Sequence, residues 1–125
     1  AVLPMSYFTV DTIRQLSVLE PYGKSNTRPV FADRNIKITR AGIVGVNRNV
    51  LKLHLLDSKG NPVAGVYFGE VEKFLTFLSE KFGSEEVDAA MHGKENSIQF
   101  AAVYEPAVDT YSGRESVQAI IRRFR

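Results

Sequence analysis

The sequence predicts a mainly β domain: a five-stranded Greek-key barrel with one helix ahead of its strands and another between the third and fourth. Three observations predict it. Apolar and polar residues alternate through Val50–Leu56, the period of a half-buried strand. At Gly69 the period changes, and Val71, Phe74, Leu75, Leu78 and Phe82 recur every three or four positions, as on one face of a helix. The chain of 125 residues is 44% apolar and 24% charged, which suits one globular core over residues 1–125 and excludes a disordered tail, a collagen repeat and a coiled coil.

Each element has a local reason. Val10, Ile13, Leu16 and Leu19 recur at helical spacing, with Thr9 or Asp11 available as a cap. Pro21 disfavours helical geometry in the residue before it, so the helix should stop near Glu20 and give way to a turn-rich loop through Pro29. Val30-Phe31 and the stretch from Ile36 to Val46 read as bent strand, interrupted by Gly42 and Gly45. In the next strand Leu51, Leu53 and Leu55 share one face, and Lys52 and His54 the other. A polar turn, Asp57 to Asn61, leads back into Val63 to Phe68 as an antiparallel hairpin.

The helix beginning at Gly69 should end at Gly83 and bury Phe74, Leu75 and Leu78. Ser84 to Met91 reads as a second short helix or a loop. Ile98 to Tyr104 and Ser116 to Phe124 supply two last strands, joined by a turn segment from Glu105 to Gly113. Five strands with a helix between the third and fourth outline an OB-fold, a small Greek-key barrel. A small mixed α+β sheet fits the same order of elements.

Charge is unevenly spread. From Lys24 to Lys59 eight bases face two acids, whereas from Glu70 to Glu95 three bases face seven acids. Folded into neighbouring strands, the first segment makes a positive face that attracts phosphate backbones; spread over several directions, it is ordinary solvated surface. The acids of the second segment are most simply the wet side of a helix. There is no cysteine, which removes disulfides, thiolate zinc sites and cysteine nucleophiles and fits the reducing cytoplasm. No apolar run reaches the roughly 18 residues of a membrane span, so no membrane partner is expected. The start at Ala1, without Met or a signal-peptide pattern, suggests a piece of a longer protein.

The segment Leu19-Glu-Pro-Tyr-Gly-Lys-Ser-Asn-Thr-Arg-Pro-Val-Phe31 resembles the opening of the OB-like domain of RecJ, the single-strand-specific exonucleases of the DHH phosphoesterase superfamily, whose pattern there is Leu-x-Pro-Phe-Gly-x-Gly-Asn-Pro-x-Pro-x-Phe. Leu51-Lys52-Leu53 resembles that family's His-Leu-Lys-Leu strand. Tyr111-Ser-Gly-Arg-Glu-Ser-Val-Gln118 is similar to its terminal Tyr-x-Gly-x-x-x-x-Gln. Ser25, Thr27, Val50 and Arg123 depart from its usual Gly, Pro, His and Asp. The resemblance implies a single-stranded-DNA-binding domain of a RecJ-like 5′-to-3′ exonuclease active in DNA repair and recombination. The partners it implies are single-stranded DNA, the catalytic domains of the same parent, and repair or replication proteins. The family's Asp-His-His clusters bind divalent metal, Mg or Mn, and none occurs in this sequence; His54 and His92 stand alone. The expectation is therefore no catalytic residue and no cofactor in this chain, with hydrolysis in a part of the parent outside it.

Tracking a single strand needs cations along its backbone and rings for its bases. Lys52 and His54 lie on the polar side of their strand, and Arg28, Arg48 and Arg114 stand in loop or turn segments from which a guanidinium reaches phosphate. Lys52, Arg48 and Arg114 are expected to form the main contact set. Among the rings, Phe31 is better read as core, while Tyr104 and Tyr111 suit either the core or the ligand. Gly23 and Gly113 are turn devices or points of close approach to phosphate. Arg122-Arg123-Phe124-Arg125 is an electrostatic arm or a frayed end. The rival reading is a module that docks on its own nuclease core or on a repair or replication partner through the acidic helix.

Overall fold

The chain enters through a 3-10 turn, Met5–Tyr7, and helix α1, Val10–Ser17, in a computed structural model that describes residues 1–17, 28–110 and 113–125. Thr9 caps α1, its Oγ1 accepting the Thr12 N–H at 3.1 Å. The predicted end of this helix at Glu20, and most of the loop that follows, lie outside the described residues. Strands β1 (Phe31–Val44), β2 (Val50–Leu56) and β3 (Pro62–Phe68) come next, then helices α2 (Val71–Phe82) and α3 (Ser84–Met91), and strands β4 (Gln99–Asp109) and β5 (Ser116–Phe124). They close into a barrel in the order β1-β2-β3-β5-β4, all pairs antiparallel except β3 with β5. This is the barrel the element order predicts, with helices where it places them.

Two elements differ from expectation. The bent chain before Val46 is one continuous strand, whose first half pairs with β4 and second half with β2, with bulges at Asp33/Ile36 and Ile38/Arg40. The segment expected to begin turning at Glu105 continues as strand to Asp109. Pro106 is tolerated there because the pairing with β1 ends at Tyr104; beyond it β4 meets only β5, so a missing N–H on its other side breaks no ladder bond.

The two ends of the barrel are sealed differently. Where β3 and β5 finish, α2 lays Phe74 and Leu78 inward, with Leu75 half-buried. The Phe74 ring packs 4.6 Å from that of Phe124 and 5.5 Å from that of Phe100. Where β2 finishes and β3 starts, the 3-10 turn inserts Met5, and Phe8 packs against Phe31 and Tyr104. Two buried carboxylates fasten this second seal. Asp33 accepts the Met5 N–H at 3.1 Å, and Asp57 accepts those of Ser6 at 2.8 Å, Asn61 at 2.9 Å and Lys59 at 3.0 Å. Burial pushes the Asp57 carboxyl up, but its hydrogen bonds from Ser6, Asn61 and Lys59 outweigh that and hold it below the ordinary carboxylate value.

Candidate nucleic-acid interface

Leu51, Leu53 and Leu55 fill the barrel, so the pleat of β2 turns Lys52 and His54 out to water. The ladder then fixes their neighbours. His54 lies opposite Arg40 of β1 and Ala64 of β3, and Lys52 lies opposite Gly42 and Val66. One step further, Val50 lies between Val44 and Phe68. The outer face of β1, β2 and β3 thus runs from a pair of opposed bases, Arg40 and His54, through Lys52 to an apolar end where Phe68 is 53% exposed. Gly42, beside Lys52, leaves open space where a side chain would stand.

The turn joining β1 to β2 continues this face. Arg48 sits in it with φ of +53°, a left-handed conformation that disfavours side chains, and its N–H bonds to the Gly45 carbonyl at 3.1 Å. Arg40 lies along Gly93, where a β-carbon would come within 3.1 Å of its guanidinium. Among the described residues neither Arg40 nor Arg48 forms an ion pair. Their charge is therefore not spent on a carboxylate.

Other predicted contacts fall elsewhere. Because β3 and β5 run parallel, with Ala64 beside Gln118, the segment before β5 lies at the end where β3 begins. Arg114 is exposed there, whereas Arg48 stands at the end where β3 finishes; the barrel does not bring Lys52, Arg48 and Arg114 into one cluster. Arg28 stands 3.8 Å from the buried Glu105, which also holds Arg122 at 2.5 Å. Tyr104 is corrected from a ligand ring to a core ring. It has no exposed surface, packs against Phe8 and Phe31, and donates its hydroxyl to the Leu3 carbonyl at 2.7 Å, so neither face is open to a base. Burial raises its pKa first, the negative charges of Asp33 and Asp57 next. Tyr111 lies outside the described residues. The terminal arginines are neither arm nor frayed end: Arg122 and Arg123 belong to β5, and Arg125 exchanges backbone hydrogen bonds with Ala101.

Sequence reasoning counted Arg40 among the bases near Lys52 without placing it opposite His54, and it missed Phe68 as a member of the face. Phe68 follows Ala64 and Val66 at a period of two, so its side was readable, but the register that sets it beside Val50 was not. Among the described residues no three His, Cys, Asp or Glu converge to hold a metal ion. No helix among them is long and apolar enough to cross a membrane.

The family model described as RecJ OB domain matches residues 1–123. No curated protein matches the chain.

Proposed function

The chain belongs to the RecJ OB-domain family, and from that premise we propose that it binds the backbone of single-stranded DNA on the outer face of β1, β2 and β3. It does no chemistry itself: it guides the strand to a nuclease core carried elsewhere in a RecJ-like exonuclease of the cytoplasm. On this reading hydrolysis with Mg or Mn belongs to that core.

The observation that carries this reading is the row Arg40–His54, Lys52, Phe68, with Arg48 at its edge. Cations on neighbouring strands of one face, here Arg40 and Lys52, follow a phosphate backbone, and an exposed ring beside them offers a base something to stack on. The strand-2 and strand-3 face and its bordering loops are where OB barrels take oligonucleotides. Binding of labelled single-stranded DNA across a salt series tests it. Phosphate contacts give a linear fall of log affinity with log salt, with a slope of about −0.7 for each contact. Absence of binding at low salt would refute the proposal.

One observation favours a second reading. Glu72 and Glu80 of α2 and Glu85 and Asp88 of α3 are exposed, and a negative helical surface repels DNA and suits a basic protein face. On this reading the domain docks on its own core, or on a repair or replication partner, through α2 and α3. The two uses occupy different surfaces and are compatible.

A further inference from the structure

A second cationic surface lies round the barrel, centred on β4. Its floor is made of small side chains: Ala32 of β1 pairs with Val103 of β4, and Ala101 follows on the same side of the strand. Its walls are arginines. At the bulge between Asp33 and Ile36, Arg34 and Asn35 leave the ladder opposite Ala101, with Asn35 at φ of +58°. On the other flank β5 bulges against Val103/Tyr104, so that Arg122 and Arg123 are both exposed and Arg123 stands opposite Val103. Arg125 lies beside Ala101. The trough between these walls has a volume of about 440 Å³.

Two features separate this surface from scattered charge. Bulges re-aim side chains, and here the two strands flanking β4 each bulge so as to set an arginine beside the same floor. Glu105 takes up Arg122 and Arg28, while Arg34, Arg123 and Arg125 form no ion pair among the described residues. A floor of Ala and Val between guanidiniums accepts a narrow polyanion that needs charge and shape and no base-specific donor.

We propose that the trough walled by Arg34 and Arg123 is a second phosphodiester site, centred on β4 and so across β1 from Lys52 of β2, and that one long strand engages both. The proposal rests on the chain being a single-strand binder, and stoichiometry separates the two claims. Titrating the chain with an oligothymidylate of about 8 nucleotides, near the length one OB site covers, should give two bound per chain. Arg34→Ala/Arg123→Ala should reduce this to one and lower the salt slope for a strand about three times longer by about 1.4, two contacts at the single-strand value. Arg34→Lys/Arg123→Lys, which keeps the charge and reports any loss of fold, should restore most of the slope. A stoichiometry of one, lost in Arg48→Ala/Lys52→Ala and untouched in Arg34→Ala/Arg123→Ala, overturns the trough and leaves the Lys52 face standing. No binding in any variant overturns both.

Discussion

The seal beneath the barrel and the outer face of β1, β2 and β3 use polar groups in opposite ways. In the seal, Asp33 and Asp57 are each only 3% exposed, and their oxygens collect backbone N–H groups from the 3-10 turn and the β2–β3 turn. On the outer face, Arg40 and Arg48 are exposed and have no carboxylate partner among the described residues. Two acids of the basic half are consumed in closing the fold. The positive charge left over is presented to solvent, and a net count of +2 conceals that division.

Changes inside should therefore cost stability and spare binding, and changes outside the reverse. The largest effect is expected at Phe74, whose ring is wholly buried: Phe74→Ala should lower unfolding free energy by about 3–5 kcal/mol in urea titration. Asp57→Ala follows, at about 3 kcal/mol, because three backbone N–H groups lose a charged acceptor. The same residue predicts a pH dependence. Its folded pKa lies below the unfolded value, so its contribution is complete above the unfolded pKa of about 4 and disappears as pH falls through the folded one. The melting temperature should fall on acidification toward pH of about 3, and Asp57→Asn should flatten that fall.

Outside, Phe68→Ala should weaken single-strand binding by about 1–3 kcal/mol, the worth of one stacked base, with little change in melting temperature. A loss of stability as large as that of binding would place Phe68 with the core. Arg48→Gly is expected to do least to the fold. It removes a cation but also a left-handed strain worth about 1 kcal/mol, so stability should hold or rise slightly while the salt slope shrinks.

The parts of the molecule legible in sequence are those governed by period. The alternation of β2 and the helical spacing of α2 fix which side chains face the core, and both appear where predicted. Register and bulges are not periodic, and they decide the site. Nothing local announces that Arg40 stands opposite His54, that Arg48 and Arg114 end at opposite ends of the barrel, or that Pro106 falls where β4 pairs with β5 alone. Tyr104 was ambiguous for a related reason. A phenol tolerates water or burial, and what settles it is the Leu3 carbonyl, more than 100 residues away in the chain, waiting for its hydroxyl. The N-terminal seal shows the same limit, since Met5 and Phe8 carry no repeat to mark them as core.

The central claim is that charge on the outer face of β1 and β2, rather than charge in general, holds the strand. The most direct measurement is the salt slope of single-stranded DNA binding for Arg48→Ala/Lys52→Ala beside Lys73→Ala, a base likewise exposed, on the acidic helix, that already pairs with Glu70 at 4.0 Å. The double variant should lose about 1.4 from the slope, equally for every base sequence, and Lys73→Ala should lose nothing measurable. An unchanged slope in the double variant, or an equal loss at Lys73, would contradict the account and leave the face as ordinary surface.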